Sequence, residues 1–228
     1  MNFERLSLDD CEQAQDILVA IDVLRAFSCA AYAFGRGAER ILLVGEVAQA
    51  FALKQRFPSA RLMGEVGGLP IPGFDYGNSP TEIARQELAG CTLIQRTSAG
   101  TQGIVRSRQA RLLLAGSLCC AAATARHLAR VPGSTVSFVI TGRTSQGHGD
   151  EDEACADYIQ ACLETAAPDP APYLARVRAS KTAAKFIHPT GGPVPASDLE
   201  HCLQVDRFDF ALRVERQGDL LVMTPVAC

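Results

Sequence analysis

Short apolar runs alternate with helix-like segments along the first two thirds of the chain. The runs have the length and the Val, Ile and Leu content of buried strands, and they lie at 16–22, 40–45, 91–95, 112–115 and 136–140. Helix-like segments follow at 24–34, 46–57 and 150–164, and a Gly-punctuated turn leads into another near Thr101. The apolar residues in 150–164 recur with the 3.6-residue period of a helix. This alternation predicts an α/β fold whose helices cover a mostly parallel or mixed sheet.

The last third of the chain has a different pattern. Three prolines between 168 and 172 end the helical segment, and a short helical stretch and a Gly- and Pro-rich loop at 188–195 follow. Two strand-like pieces, 208–214 and 220–224, flank Gly218 and Asp219, which predicts a β-hairpin. We expect this hairpin to lie at an edge of the sheet. Because the chain has no internal repeat and no low-complexity linker, we expect residues 1–228 to form a single domain.

Composition and charge narrow the class of protein. Of the 228 residues, 47% are hydrophobic and 21% are charged, which is typical of a globular protein and argues against disorder. The net charge of −3 argues against a nucleic-acid partner, since proteins that coat nucleic acid are usually strongly basic. The first 16 residues carry five acids and no apolar run, and the longest weakly polar stretch, 112–125, is too short to span a bilayer. We therefore expect a cytoplasmic protein without a membrane partner.

The nine cysteines predict packing rather than chemistry. No Cys-x-x-Cys pair occurs, and Cys119 and Cys120 are adjacent, which suits a tetrahedral metal site poorly. Most of the cysteines lie in Ala-rich or amphipathic stretches, where a thiol acts as a small hydrophobic side chain.

The segment 64–80 is the most informative part of the chain. It is rich in Gly and Pro, has no periodicity, and contains Glu65, Asp75, Asn78 and Ser79. Long loops of this kind inside compact domains are often functional. The segment runs into Ser-Pro-Thr-Glu, a capping box with Pro at the first helical position, so it leads to a helix N-terminus that attracts anions. The alternative is an ordinary surface loop with solvated acids.

Three further segments follow predicted strands and carry polar side chains. Asp22 and Arg25 follow the first strand, 96–101 contains hydroxyl and Gly residues, and 141–153 joins a Gly-rich loop with Arg143 to four acids. Ligands of open α/β sheets bind at the carboxyl ends of strands. Structural alternatives remain open for each segment: Asp22 as a helix cap, a plain strand-to-helix turn, and acids that complement a helix dipole.

Carboxylates, arginines and hydroxyls at neighbouring strand ends suit one kind of site. Carboxylates hold Mg²⁺ in an oxygen shell, and Arg binds phosphate or carboxylate through two parallel hydrogen bonds. The sequence therefore predicts a site for a hard divalent cation together with an anionic substrate.

These segments resemble the 2-phosphosulfolactate phosphatase family, the ComB-like proteins of coenzyme M biosynthesis. The resemblance covers nearly the whole chain in order. It rests on Ile-Asp-Val-Leu-Arg-Ala at 21–26, Gly-Glu at 64–65 with Gly-Gly at 67–68, Gly-Phe-Asp-Tyr-Gly-Asn-Ser-Pro at 73–80, the turn at 97–101, Glu-Asp at 151–152 and the tail 198–206.

The resemblance implies a three-layer α/β/α fold and Mg²⁺-dependent hydrolysis of 2-phospho-3-sulfolactate to 3-sulfolactate and phosphate. Residues and resemblance together predict three sets of site residues. The catalytic set is Asp22, Arg25, Glu65 and Asp75. The substrate-binding set is Asn78, Ser79, Thr97, Ser98, Gly100, Thr101 and Arg143, with Arg143 assigned to the carboxylate or sulfonate. The Mg²⁺ set is Asp22, Glu65, Glu151 and Asp152.

Three positions depart from the family's pattern. Val66 stands where the family commonly has Arg, Ala99 where it has Asn, and Asp157 where it has a small Gly. The first two changes remove anion contacts, so they put the exact substrate in question more than the chemistry. The alternatives are a phosphatase for another 2-phospho-carboxylate and a non-catalytic or regulatory binder of a phosphorylated small acid.

The mechanism is left partly open by the sequence. Phosphatases with a covalent Asp intermediate use Asp-x-Asp after a strand, and position 24 here is Leu, which favours direct attack by water. His148 is either a proton donor or an exposed loop residue. A symmetric homodimer is the default expectation for a soluble oligomer.

Overall fold

Ten strands form one mixed sheet in the computed structural model, which describes residues 1–133, 135–145, 147–165, 167–187 and 194–228. The strands are β1 (Asn2–Ser7), β2 (Ile17–Ile21), β3 (Arg40–Leu43), β4 (Arg61–Val66), β5 (Leu69–Pro70), β6 (Thr92–Arg96), β7 (Leu112–Gly116), β8 (Thr135–Ile140), β9 (Phe210–Gln217) and β10 (Leu220–Ala227). Their order across the sheet is β1-β8-β2-β7-β9-β10-β3-β6-β4-β5.

Helices connect most of the strands. They are α1 (Ala26–Gly35), α2 (Val47–Arg56), α3 (Pro80–Ile83), α4 (Gly100–Arg106), α5 (Ala121–Arg130), α6 (Asp150–Glu164), α7 (Ala171–Ala179), α8 (Lys181–Ile187) and α9 (Ala196–Cys202). The α/β fold is confirmed, and the predicted strands and helices of the first two thirds occur within a few residues of their predicted bounds. Of the predicted loop 188–195, residues 188–193 lie outside the described residues.

The helices cover both faces of the sheet, as the predicted α/β/α layering requires. Because side chains alternate along a strand, Leu18 and Ala20 of β2 pack with α1 and α4, whereas Ile17, Val19 and Ile21 face the opposite way. That opposite face of β2, β7 and β8 is covered by α5 to α9, and α2 packs through Ala50 on β3, β4 and β6.

The C-terminal hairpin lies in the middle of the sheet, so the prediction of an edge position is wrong. β9 pairs antiparallel with β7 and β10 pairs antiparallel with β3. Leu212, Val214, Val222 and Met223 are consequently buried. A hairpin turn fixes only the pairing of its own two strands, and the outer partners are chosen by tertiary packing.

The central hairpin separates two groups of parallel strands that run in opposite directions. β1, β8, β2 and β7 form one group, and β3, β6 and β4 form the other. Five steps separate β2 from β6, and a twist of roughly 20–25° per step rotates them by roughly 100–125°. The carboxyl ends of both groups therefore converge on α1, where Gln95 of β6 donates a 2.9 Å hydrogen bond to the carbonyl of Ala26.

Strand β4 extends into the segment predicted to be a structureless loop. Gly64 lies inside this strand with a φ of 144°, and a Cβ atom there would come within 1.8 Å of the carbonyl oxygen of Arg96. The glycine allows β4 to pair closely with β6, so what looked like a loop signal marks a close approach of two backbones.

The cysteines have the predicted packing role. All nine are free, and six are buried. Burial raises the pKa of the Cys119 thiol to about 12 and that of Cys120 to about 11, so both thiols stay protonated at neutral pH. Among the described residues, no helix combines the length and the apolar composition that crossing a bilayer requires.

Candidate active site

A cavity of about 330 Å³ lies where the two groups of strands converge, and we call it the first cavity. Its charged lining consists of three acids and three basic side chains, which are Asp22, Glu151, Asp152, His148, Lys181 and Lys185. The acids are at most 7% exposed, whereas the basic side chains are exposed. Acids therefore line its depth, and the basic groups lie toward solvent.

Asp22 occupies the predicted position at the carboxyl end of β2. Its Oδ1 accepts a 2.9 Å hydrogen bond from the N–H of Ala26 in the first turn of α1, so the helix-capping alternative is also correct. Burial, together with the nearby carboxylates of Glu65 and Glu151, raises the pKa of Asp22 to about 6 against the lowering effect of backbone N–H groups. A cation bound beside this carboxylate would stabilise its ionised form.

Asp152 and Glu151 come from the first turn of α6. Asp152 Oδ1 accepts from the N–H of Val23 and its Oδ2 from the N–H of Gly142, both at 2.8 Å, so this carboxylate ties β2 to the end of β8. Burial and the charges of Glu151 and Asp22 raise its pKa well above the ordinary value. Within the described part of the chain, the Glu151 carboxylate accepts no hydrogen bond and forms no ion pair, although it is only 4% exposed.

Glu65, at the end of β4, joins two loops. Its Oε1 and Oε2 each accept a 2.6 Å hydrogen bond, from the N–H of Ser98 and the N–H of Gly68, and Ser98 Oγ adds a third at 3.1 Å. Glu65 therefore serves as a brace for the turn after β6. Because it does not line the first cavity, we leave it out of the metal-ligand set.

The turn at 97–101 uses its hydroxyl groups internally. The N–H of Thr97 donates to Thr101 Oγ1, and the N–H of Thr101 donates to Thr97 Oγ1, at 2.9 and 3.0 Å. Both threonines are buried, so the predicted contact of their hydroxyls with substrate is replaced by a role in shaping the turn. Gly100 is the member of this turn that approaches Asp22, to which its N–H donates.

Gly100 leaves no room for a side chain. A Cβ atom at this position would lie 2.7 Å from the Ala26 Cβ and 2.8 Å from Asp22 Oδ2. We expect Gly100→Ala to displace the Asp22 carboxylate, lowering turnover about 10- to 100-fold for a packing cost of about 1–3 kcal/mol. The matched control is Gly45→Ala, where the nearest atom would lie at 3.4 Å. Equal activity of the two variants in a phosphate-release assay contradicts the role of Gly100.

Arg25 and Asp198 form a buried ion pair beside the first cavity. Asp198 is fully buried on α9, and Arg25 Nη1 lies 2.6 Å from its Oδ2. Its Oδ1 accepts from Ser79 Oγ at 2.6 Å and from the N–H of Thr81 at 3.1 Å. The expectation that the N-terminus of α3 binds an external anion is therefore corrected, because the chain's own Asp198 fills that place.

A second cavity, of about 380 Å³, collects most of the predicted residues from 64–80. Arg25, Glu65, Asp75, Asn78 and Ser79 line it. Asp75 is exposed, and its Oδ2 accepts a 2.7 Å hydrogen bond from the N–H of Leu62, which fastens the loop to β4. Asn78 is 8% exposed, and its Oδ1 has no hydrogen-bond partner among the described residues. The segment 22–25 borders both cavities, because Asp22 and Leu24 line the first and Arg25 lines the second.

The capping box at the end of this segment forms in part. Ser79 Oγ accepts from the N–H of Glu82 at 3.2 Å, as predicted, and Pro80 occupies the first helical position. The Glu82 carboxylate, however, accepts from the N–H of Gly77 at 3.0 Å instead of returning to Ser79.

Arg143 does not line either cavity. Its guanidinium pairs with Glu153, which also lies 3.3 Å from Arg5, so its predicted role in holding the substrate's acid groups is not supported by its position.

The three residues that depart from the family pattern lie in different places. Ala99 lines the first cavity, Val66 is 45% exposed at the end of β4, and Asp157 forms surface ion pairs.

Two groups of site residues were missed by sequence reasoning. Lys181, Thr182 and Lys185 of α8 line the first cavity, and Asp198 holds Arg25. The chain contains only three lysines, so two of them four residues apart on one helix was a usable signal. Asp198 lies in the tail that resembles the family, but no local pattern connects it to Arg25.

The sequence that forms these cavities matches a known protein family. The family model described as 2-phosphosulpholactate phosphatase matches residues 5–217. The chain belongs to this family. A Bacillus subtilis protein named probable 2-phosphosulfolactate phosphatase is 35% identical over 206 residues, covering 90% of each chain.

Two further members of the family with that name come from other bacteria. The protein of Carboxydothermus hydrogenoformans is 41% identical over 146 residues, which are 64% of this chain and 60% of the relative. The protein of Thermosynechococcus vestitus is 31% identical over 210 residues, with 84% and 86% covered. The resemblance drawn from the motifs is therefore confirmed.

The carboxylate oxygens that line the first cavity are the candidate ligands for a metal ion in a member of this family. Among the described residues, no group of three or more His, Cys, Asp and Glu side chains is arranged to enclose an ion. Each oxygen of Asp152 already accepts a backbone N–H, whereas the Glu151 carboxylate accepts no hydrogen bond from the described residues, and burial with neighbouring carboxylates raises the pKa of Asp22. Mg²⁺ is commonly bound by one or two carboxylates together with waters and phosphate oxygens. Asp22 and Glu151 fit that mode of binding.

Proposed function

We propose that this protein is a Mg²⁺-dependent phosphatase that hydrolyses 2-phospho-3-sulfolactate to 3-sulfolactate and phosphate. The observation that carries the proposal is the composition of the first cavity, where buried Asp22 and Glu151 share one space with Lys181 and Lys185, which form no ion pair with any described residue. Family membership and the printed names of the relatives support the substrate.

The acids and the lysines call for different ligands. The charges of neighbouring carboxylates raise the pKa of Asp22 and of Asp152, and a divalent cation beside them offsets that repulsion. The lysines at the solvent side attract an anion. A metal-bound phosphate monoester supplies both charges at once, and a cavity of 330 Å³ accommodates a molecule of this size.

Asp22 and Glu151 would hold the ion. When bound, Mg²⁺ supplies positive charge that stabilises the phosphoryl oxygens during transfer. Phosphoryl transfer depends mainly on such positioning and electrostatics, so the chain's own contribution is to fix the two carboxylates. The N–H groups of Ala26 and Gly100 fix Asp22, and α6 fixes Glu151.

Proton transfer has two candidate groups in the first cavity. A water that attacks phosphorus gives up a proton, and Glu151 is the carboxylate without a donor among the described residues, so it is placed to accept one. The C2 oxygen that leaves needs a proton in return. His148 lines the first cavity at its solvent side, where an imidazole can deliver it.

Ala99 favours a second substrate within the same class. It lines the first cavity at a position where the family commonly carries Asn, so one polar contact to the substrate is absent here. Another 2-phospho-carboxylate that needs no such contact is the alternative.

Phosphate release tests the proposal directly. Purified protein is assayed with 2-phospho-3-sulfolactate, 2-phospholactate and 3-phosphoglycerate, with Mg²⁺ and with excess EDTA. We expect turnover of the first or second compound that EDTA abolishes and Mg²⁺ restores. Turnover that is indifferent to EDTA removes the metal from the proposal. Tight binding of these compounds without any turnover favours the regulatory binder instead.

A further inference from the structure

The cationic wall of the first cavity belongs to one short helix. Lys181 and Lys185 are four residues apart on α8, so they lie on the same helical face, and both line the cavity. The opposite face of α8 is fixed in the core by Ala183 and Phe186, which are buried. Ser180 caps the helix by accepting from the N–H of Ala183 at 3.1 Å. The packing and capping of α8 therefore position both lysines at the cavity.

Neither ammonium group is neutralised by an acid among the described residues. Within the described ranges, no carboxylate lies at ion-pair distance from Lys181 or Lys185, whereas Arg143, the residue expected to bind the substrate's acid groups, is paired with Glu153. Lys181 contacts the His148 imidazole, which carries no negative charge. Both positive charges therefore remain available to a ligand.

The two lysines lie away from the place where the phosphoryl group is expected to bind. The phosphoryl group is expected beside Asp22 and Glu151, which are deeply buried, whereas Lys181 and Lys185 are exposed. A ligand that spans this depth has its transferred group inside and its other groups at the solvent side. A lysine ammonium is a mobile point charge that suits a tetrahedral or rotating anion and does not require the planar fork of an arginine.

We propose that Lys181 and Lys185 determine the substrate specificity of this protein by binding the carboxylate or sulfonate that is not transferred. The inference rests on the proposed function and adds to it that α8 selects phosphate monoesters carrying a second anionic group. It replaces the role expected for Arg143.

Two substrates that differ in the second anion test the inference. The double variant Lys181→Gln with Lys185→Gln is compared with the wild type on 2-phospho-3-sulfolactate and on 4-nitrophenyl phosphate, which carries no second acid. We expect kcat/KM for the first substrate to fall about 30- to 100-fold, mostly through KM, and for the second to change less than 3-fold. Equal losses on both substrates, or no loss on the first, overturn the inference.

The third lysine supplies the matched control. Lys54 lies on α2, outside the first cavity, where its ammonium bonds the carbonyl of Ala60, so Lys54→Gln makes the same chemical change away from the site. We expect it to retain the wild-type ratio of kcat/KM between the two substrates. A changed ratio in this variant overturns the assignment to α8.

Binding of the product separates this inference from the proposed function. Calorimetry with 3-sulfolactate and, separately, with inorganic phosphate needs no turnover. We expect the double variant to bind 3-sulfolactate at least 10-fold more weakly and inorganic phosphate within about 3-fold of the wild type. If the wild type hydrolyses neither substrate, the proposed function fails, and unchanged 3-sulfolactate affinity in the double variant independently rejects the role of the lysines.

Discussion

Asp22→Asn is expected to abolish turnover while making the metal-free protein more stable at neutral pH. The carboxylate is a proposed Mg²⁺ ligand, so its loss should lower kcat at least 1000-fold. The stability gain follows from the pKa of Asp22, which burial and neighbouring carboxylates raise from 3.8 to about 6. Because the folded protein binds this proton more tightly than the unfolded chain does, the ionised form opposes folding.

The cost of ionising Asp22 in the folded protein depends on pH. Below about pH 4 Asp22 is protonated in both states and imposes no penalty. Between about pH 4 and pH 6 the unfolded chain ionises first, and the penalty grows to roughly 3 kcal/mol, which persists at higher pH. Asn keeps the acceptor for the N–H of Ala26 and loses the acceptor for Gly100, so we expect a net gain of about 1–2 kcal/mol and a Tm about 4 °C higher at pH 7.5.

Melting curves with EDTA at pH 4 and at pH 7.5 measure this prediction. The control is Asp219→Asn, whose carboxylate is exposed and pairs with Arg56 at 2.7 Å. Added Mg²⁺ should raise the Tm of the wild type and of the control but not that of Asp22→Asn, because only a ligand that binds the folded state stabilises it. A lower Tm for Asp22→Asn at pH 7.5 contradicts the electrostatic account, and retained activity contradicts the catalytic one.

Asp198→Asn is expected to cause the largest loss of stability among these variants. It removes the negative charge beside Arg25, which is 7% exposed and has no other carboxylate at ion-pair distance in the described structure. Breaking a buried ion pair by removing one partner costs about 3–5 kcal/mol, since the other charge stays buried. For a chain of this length the Tm should fall by about 10 °C.

The matched control lies on the same helix. Glu200 of α9 pairs with Arg178 at 2.9 and 3.0 Å, but its side chain is 62% exposed, so Glu200→Gln should cost less than about 1 kcal/mol. Combining Arg25→Met with Asp198→Asn should recover at least half of the lost stability, because the unpaired charge is then removed. If the double variant is as unstable as the sum of the single variants, the ion pair is not the cause.

Sequence and structure agree best where the signal is local. The apolar run 16–22 predicts β2, and the 3.6-residue period of apolar residues in 150–164 predicts α6. Both predictions succeed because the apolar residues that bury a strand or one face of a helix lie close together in the sequence. The central place of the hairpin was not predictable, since Val214 and Val222 would be equally apolar beside other partners. The bracing roles of Glu65 and Asp75 were equally hidden, because a carboxylate in a Gly-rich loop gives the same pattern whether it binds a metal or a backbone N–H.

By itself, the sequence determined the α/β class and the family, and it predicted Asp22 and Glu151, which line one cavity in the structure, as acids of the site. These follow from periodicity and from motifs in which neighbouring residues act together. Only the tertiary structure decided that Lys181 and Lys185 share the first cavity with those acids and that Asp198 neutralises Arg25. Those contacts join residues that are 30 to 173 positions apart, and a sheet twisted through its central hairpin brings them together.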